Sequence, residues 1–209
     1  MTQKTKRHND PALAEARRNQ VLCAAADCFR RKGYHGAGMA EISKTAGMSA
    51  GHIYNYFASK EAIIESIVER DMEEMFSIFK EFADKPGDRV TVLLDGLDRG
   101  VERHTDLNQG ALDLEMLAEA ARNEKIANLL RESDSHARDS MRELLVGERG
   151  PLQGTALEEV NARIEVMFSV MGGLLLRKML NPSLNISELL KALRPAMKTL
   201  LLPFDKGID

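Results

Sequence analysis

The sequence predicts an all-α protein of about nine helices, with an N-terminal three-helix domain followed by a larger helical domain. Apolar residues recur at helical spacing along most of the 209 residues, while no segment alternates with period two for long. Hydrophobic residues make up 44% of the chain and charged residues 29%, which is enough apolar material to bury a core. Six prolines and several glycines divide the helical pattern into segments.

The first 83 residues contain four predicted helices with recognisable ends. Their approximate bounds are 11–32, 38–46, 50–57 and 59–83. Gly33 ends the first of them, since glycine is the usual residue after a helix. Gly47 ends the second, while Ser49 and Ser59 are placed as N-caps of the third and fourth.

The remaining chain predicts five further helices after the break at "DKPGD". Their approximate bounds are 88–104, 109–122, 124–146, 156–180 and a last helix from residue 187. Ser187 is the predicted N-cap of that last helix, and Pro195 is a candidate kink within it.

Charge is distributed unevenly along the chain. Residues 1–60 hold ten Lys and Arg against four Asp and Glu, while the overall formal charge is −3. This asymmetry predicts a basic functional module on an acidic body. The N-terminus does not read as a secretory signal, and the longest apolar runs are too short for a bilayer, so we expect a cytoplasmic protein without a membrane partner.

Motifs for catalysis or metal binding are not evident. Cys23 and Cys28 lie five residues apart, which is not a CxxC spacing, so both are predicted to be small core thiols. The five histidines are scattered, without HExxH, and no P-loop occurs. The sequence therefore predicts no enzyme, no metal and no other cofactor.

The segment "GMAEISKTAGMSAGHIYNYFASKE", residues 38–61, combines two short amphipathic helices with a tight connector. Ile42 lies on the apolar face of the first helix, and Ile53 and Phe57 lie on that of the second. Gly47 can adopt the left-handed backbone of a sharp turn. Two helices joined so closely predict a helix-turn-helix.

Outward residues of this segment are candidates for DNA contact. Side chains of His52 and Asn55 can bond base edges, tyrosine hydroxyls can bond phosphates, and lysines add positive charge. The predicted DNA-binding residues are Lys44, Ser49, Ala50, Gly51, His52, Tyr54, Asn55, Tyr56 and Lys60. Residues 1–10 are a predicted flexible arm in which Lys4, Lys6 and Arg7 either enter a minor groove or add only non-specific attraction.

The stretch "VLCAAADCFRRKGYHGAGMAEISKTAGMSAGHIYNYFASKEAII" resembles the N-terminal domain of TetR-family transcriptional regulators. The resemblance covers about residues 17–68, and it implies a DNA-binding domain over 1–60 and a ligand-binding and dimerisation domain over 61–209. It places the family's base and phosphate contacts on Ser49, Ala50, Gly51, Tyr54, Asn55, Tyr56 and Lys60.

Three departures from the family pattern bear on DNA contact. Ala37 and Gly38 stand where the family often has Thr-Ser, which puts one phosphate contact in doubt. Ala50 stands where many members have lysine, and Asn55 where many have histidine. Since asparagine pairs well with adenine, we expect an adenine near the centre of each half-site.

The body is predicted to supply a dimer interface and an effector cavity. By resemblance, the last two helices form a four-helix contact between protomers, and the predicted interface residues are Ile164, Gly172, Leu175, Leu189, Leu193, Met197 and Leu200. Methionine suits adaptable pockets, and the predicted effector-binding residues are Phe76, Leu97, Val101, Met116, Leu117, Met167, Phe168 and Met171. The acidic residues Asp95, Asp98, Glu115 and Glu119 favour a cationic, apolar effector, although a solvated acidic face explains them equally.

These observations predict a dimeric repressor that a small apolar effector releases from a near-palindromic operator. Two alternatives stay open. One is a helical adaptor that has lost specific DNA binding, and the other is an all-helical enzyme whose site is spatial.

Overall fold

The structure is a computed structural model, and it describes residues 11–204. Within that range it contains ten α-helices and no strand. The helices are α1 (Pro11–Gly36), α2 (Met39–Ala46), α3 (Ala50–Ile53), α4 (Lys60–Asp84), α5 (Arg89–Asp95), α6 (Leu97–Thr105), α7 (Leu107–Ala120), α8 (Glu124–Val146), α9 (Leu157–Leu180) and α10 (Ile186–Leu201). The predicted all-α class is confirmed.

Several helix boundaries differ from the sequence prediction. The third helix ends at residue 53 instead of 57, and α7 spans residues 107–120 instead of 109–122. The helix expected over 88–104 is two helices, broken at Gly96, where an added Cβ would collide with the Phe82 ring. Asn185 rather than Ser187 caps α10, and its Oδ1 accepts from the backbone N of Glu188 at 3.2 Å. The first helix continues through a kink at Gly33 (φ 72°, ψ 164°) to residue 36.

A first hydrophobic core is built by α1–α4 and completed by α7 and α8. Its largest fully buried side chains are Phe29, Ile42, Ile53, Phe57, Ile63, Ile64, Ile67, Leu112 and Ile126. Cys28 belongs to this core, but Cys23 is exposed. The prediction that both thiols are buried is therefore wrong for Cys23, because the apolar stripe of α1 is narrower than the run of small residues suggests.

A second hydrophobic core is formed by α5, α6, α8, α9 and α10. Leu145, Leu152, Val160 and Ile164 are its most deeply buried side chains. Partly buried methionine, leucine and phenylalanine side chains surround them. This second core borders a cavity of about 600 Å³.

Polar contacts join the end of α1 to α7. The backbone N of Tyr34 donates to Glu115 Oε2 at 3.2 Å, and His35 Nε2 lies 2.8 Å from Glu119 Oε2. Glu119 is only 3% exposed, so its charge depends on these partners and on Arg122, whose Nε lies 3.3 Å away. These contacts fix the N-terminal helices against the body.

Candidate nucleic-acid interface and ligand cavity

The turn between α2 and α3 has the geometry that the sequence predicts. Gly47 adopts φ 64°, ψ 29°, in the left-handed region, and its backbone N donates to Lys44 O at 3.2 Å. The backbone N of Met48 donates to Ser43 O at 3.0 Å, which completes a Schellman-type helix end. Ser49 then caps α3, because its Oγ accepts from His52 N at 3.2 Å.

The predicted DNA-binding residues divide by exposure. Exposed are Lys44, Ser49, Gly51, His52, Tyr54 and Asn55, whereas Ala50, Tyr56 and Lys60 are half-buried. Tyr54 is 52% exposed although it is a large aromatic residue, while Ile53 and Phe57 beside it are buried in the first core. The short helix α3 therefore presents polar and aromatic groups to solvent and is held from behind by apolar side chains.

Arg18 braces this surface from α1. Its Nη1 donates to Tyr56 O at 3.2 Å, its Nη2 donates to Ser66 Oγ at 3.2 Å, and the guanidinium lies 4.6 Å from the Phe57 ring centroid. These partners are 38 and 48 residues away in sequence. No local pattern could have indicated this positioning role.

The two predicted lysines differ in their surroundings. Lys60 Nζ donates to Tyr34 O at 2.7 Å and lies 4.0 Å from the Tyr34 ring centroid. Tyr34 in turn donates its hydroxyl to Glu61 Oε1 at 3.0 Å, and burial together with that bond raises its pKa above the ordinary value. Lys44 is exposed, and within residues 11–204 no ion pair holds its ammonium.

At the start of α2, Ala37 and Gly38 stand where the family often has Thr-Ser. Ala37 is fully buried, and Gly38 caps α2 without a side-chain hydrogen bond. A Cβ at Gly38 would meet nothing within 4 Å, so a serine would fit there. The predicted arm residues Lys4, Lys6 and Arg7 lie outside the described residues.

A cavity of about 600 Å³ lies in the body, between α4 and the helices from α5 to α10. Six of the predicted effector-binding residues line it: Leu97, Met116, Leu117, Met167, Phe168 and Met171. Phe76 and Val101 do not line the cavity, which corrects the prediction. The Phe76 ring instead packs 5.9 Å from that of His136, and Val101 is fully buried in the second core.

The predicted dimer residues mostly face the interior of the protomer. Ile164, Leu193 and Met197 are buried in the second core, and Leu189 and Leu200 are half-buried against it. Gly172, Leu175 and Met197 line the cavity. The apolar stripe that the sequence displays therefore lies largely on the intrachain face of α9 and α10, although Gly172 is exposed. The dimer interface itself stays a prediction.

Two carboxylates that the sequence analysis overlooked form a polar region of the cavity wall. Asp71 on α4 and Asp113 on α7 both line the cavity, and Gln109 Nε2 donates to both, at 3.3 Å and 3.1 Å. Burial raises the pKa of both carboxyl groups, because desolvation disfavours the charged form.

The four acidic residues that favoured a cationic effector do not line the cavity. Asp98 pairs with Arg194, while Glu115 and Glu119 hold Tyr34 and His35. Sequence proximity to cavity helices therefore selected the wrong carboxylates, because a helix presents only one face to the cavity.

Two other kinds of structural feature are absent from residues 11–204. Histidine, cysteine and acidic side chains do not gather there into a group of three or more with metal-binding geometry. No helix in that range combines the length and the apolarity that a membrane span requires.

The fold and the exposed α3 together define a helix-turn-helix protein with a helical, cavity-containing body. Residues 21–67 match the family model described as bacterial regulatory proteins, tetR family. The HTH-type transcriptional regulator UidR of Escherichia coli K12 is 32% identical over 124 residues, which cover 56% of this chain and 59% of UidR. The alignment thus spans about three fifths of that relative.

Solved structures extend the similarity to the body. Salmonella enterica GusR is 26% identical, with a TM-score of 0.70 over 92% of this chain and 97% of that chain. FadR from Bacillus subtilis, solved in complex with stearoyl-CoA, has a TM-score of 0.68 over 91% of this chain and 99% of that chain, at 22% identity. That last similarity concerns the fold alone. The chain belongs to the TetR family of bacterial regulatory proteins.

Proposed function

We propose that this protein is a dimeric, DNA-binding transcriptional repressor that a small, largely apolar effector releases from its operator. The observation that carries the proposal is α3, whose polar face is exposed while Ile53 and Phe57 anchor it to the first core. The family match over residues 21–67 supports the same function. Such a regulator acts on cytoplasmic DNA, and we keep the proposed division at residue 60 between its DNA-binding and effector domains.

A fluorescence-anisotropy titration with the DNA that flanks the protein's own gene tests this proposal. We expect Tyr54→Phe to weaken binding by about tenfold, because a hydrogen bond to a charged phosphate contributes about 1.5 kcal/mol or more. Lys44→Ala should lower the slope of log K against log salt by about one, since one phosphate contact is lost.

Lys85→Ala is the matched control for the charge change. Lys85 is exposed beyond the far end of α4, about 37 Å along that helix from Lys60. Lys60→Ala is less informative, because it also removes the contact with Tyr34. Equal effects of Lys44→Ala and Lys85→Ala, or no specific binding at low salt, would contradict DNA recognition by α3.

One specific observation favours a second candidate function, a helical adaptor that no longer binds DNA specifically. Ala37 is buried, Gly38 has no side chain, and Ala50 is half-buried, so three positions associated with DNA contact in the family carry no polar group. Absence of specific binding in the titration would favour this adaptor.

Dimerisation is proposed through the outer faces of α9 and α10, as the family resemblance implies. Exposed apolar side chains follow helical spacing on α9: Val166, Val170, Leu176 and Leu180. On α10 the exposed residues Ala192 and Ala196 lie one turn apart, and the exposed Leu202 follows the end of the helix. These exposed faces replace the buried stripe that the sequence first indicated, and two copies of the pair would form a four-helix contact.

Sedimentation velocity tests the dimer. We expect wild type to sediment as a dimer and Val170→Glu as a monomer, because a charge at the centre of an apolar interface stays unpaired. Leu114→Glu is the control, since Leu114 has the same 37% exposure as Val170 but belongs to α7 instead of α9 or α10. A dimeric Val170→Glu variant would place the interface elsewhere.

Effector binding would reach the DNA through α4 and α7. α4 runs from the end of the helix-turn-helix into the cavity wall, which Met75 and Phe79 line. α7 contributes Met116 to the cavity, while Glu115 on the same helix holds Tyr34. A ligand that moves either helix therefore moves the N-terminal helices and changes the spacing of the two α3 helices in the dimer.

A further inference from the structure

We propose that the effector carries a cationic amine on an apolar body, and that the amine is bound by Asp71 and Asp113. This inference rests on the proposed effector-responsive function and names the chemical class of its ligand. The carboxylates come from α4 and α7, the two helices that also contact the N-terminal domain.

The two carboxylates are held close to each other without a cation between them. Gln109 Nε2 lies within hydrogen-bond distance of Asp71 Oδ2 and Asp113 Oδ1, so one amide group bridges the pair. A bridging amide satisfies one oxygen of each carboxylate but supplies no positive charge. Each carboxylate therefore retains capacity to accept a hydrogen bond from a ligand ammonium, and charge-assisted bonds of that kind are the strong ones.

Two arginines lie near the pair, and neither forms an ion pair with Asp113. Arg103 lines the cavity, but its Nη1 lies 3.6 Å from Glu74 Oε1. Arg70 Nη2 lies 3.7 Å from Asp71 Oδ1, a long ion pair, and within residues 11–204 no ion pair reaches Asp113. Asp113 is therefore the carboxylate with most to gain from a cationic ligand.

The charged residues that line the cavity also favour a cationic ligand. Three aspartates line the cavity, Asp71, Asp113 and Asp134, against one arginine, Arg103, and one histidine, His104. Asp134 is already paired, since its Oδ2 lies 3.1 Å from Arg138 Nε. The His104 Nδ1 lies 2.8 Å from Gly100 O and donates to that carbonyl, so this nitrogen is not available to the acids.

The rest of the wall suits an apolar body. Met75, Phe79, Phe82, Met116, Phe168 and Met171 line the cavity. Methionine side chains adapt to irregular apolar shapes, and phenylalanine faces attract cations that approach them. A volume of about 600 Å³ is within the range of small-molecule sites.

An anionic acyl thioester fits this lining poorly. FadR from Bacillus subtilis was solved with stearoyl-CoA, whose phosphates need several cationic partners. Here a phosphate near the polar wall would face Asp71 and Asp113 with Arg103 as the single arginine of the lining. A shared fold with FadR therefore does not carry over its ligand.

Isothermal titration of the purified full chain at pH 7 tests the proposal with three probes of equal chain length, decylammonium, 1-decanol and decanoate. We expect decylammonium to bind about tenfold or more tightly than either of the others, since one charge-assisted contact contributes about 1.5 kcal/mol or more. Equal affinity for decylammonium and decanol, tighter binding of decanoate, or no binding of decylammonium would overturn the proposal.

Variants of the protein test whether Asp71 and Asp113 cause the preference for decylammonium over decanol. In Asp71→Asn/Asp113→Asn the advantage of decylammonium over decanol should disappear while decanol still binds. Asp95→Asn, on the exposed side of α5 and outside the cavity lining, is the control that should keep the preference. A preference that persists in the double variant would overturn the assignment to these carboxylates, and bound decanol shows that the variant is folded.

Failure of this inference is distinguishable from failure of the proposed function. The titration contains no DNA, so a cation preference can be present even if operator binding is absent. Conversely, specific DNA binding that decylammonium does not relieve, together with equal binding of all three probes, would leave a DNA-binding protein whose effector belongs to another class.

Discussion

The two hydrophobic cores of this protein are built for different purposes. The first core packs branched and aromatic side chains such as Ile42, Ile53 and Phe57 with essentially no exposure, and it holds α3 in place from behind. The second core surrounds a cavity of about 600 Å³ with partly buried methionine and phenylalanine. A surface that recognises DNA needs a rigid support, whereas an effector site needs unfilled volume that a ligand can complete.

The largest expected effect separates the two cores directly. Phe57→Ala should reduce the free energy of unfolding by about 3–5 kcal/mol, because it opens a cavity in a filled core and removes the ring that Arg18 covers. Phe168→Ala, which enlarges an existing cavity, should cost clearly less. Urea unfolding of both variants measures the difference, and equal losses would mean that the second core is packed as tightly as the first.

A smaller effect contrasts two glycines. Gly47→Ala should destabilise the protein by about 1–2 kcal/mol, since φ 64° is unfavourable for a residue with a Cβ. Gly172→Ala on α9 should instead stabilise it by about 0.5–1 kcal/mol, because its Cβ would meet nothing within 4 Å and alanine favours a helix. Thermal unfolding reports both signs. A neutral Gly47→Ala would show that the turn is not rigidly held.

The smallest expected effect concerns pH and Asp113, a carboxylate of the cavity wall. Burial raises the pKa of Asp113 in the folded state, so folding becomes less favourable as the pH rises above the unfolded value of about 3.9. Asp113→Asn should therefore raise the melting temperature slightly at pH 7, and the gain should shrink as the pH falls toward that value. Asp95→Asn serves as the exposed control. A gain that does not depend on pH would exclude desolvation of Asp113 as its cause.

Sequence reasoning was most accurate where structure depends on neighbours along the chain. The bounds of α8 were predicted as observed, and the left-handed Gly47 and the caps Ser49 and Ser59 are confirmed. These features rest on backbone conformation and on hydrogen bonds that span two to four residues. A local sequence pattern contains all the information that they require.

Predictions failed where one helix has two apolar faces or a contact joins distant segments. On α9 the stripe that contains Ile164 was assigned to a dimer, but the fold buries it inside the protomer, which leaves Val166 and Val170 outside. The break at Gly96 depends on the Phe82 ring, which belongs to another helix. Neither choice is visible in helical periodicity, because the pattern specifies that a face is buried and not what buries it.

The sequence by itself determined the all-α class, the helix-turn-helix and its polar face, because capping, turn geometry and amphipathic spacing are local properties. Only the tertiary structure decided which residues line the cavity, that Asp71 and Asp113 share Gln109, and that Lys60 is held by Tyr34. The Gln109–Asp71 and Lys60–Tyr34 contacts join residues that are 38 and 26 positions apart on different helices. Their proximity results from the packing of whole helices, which no single segment encodes.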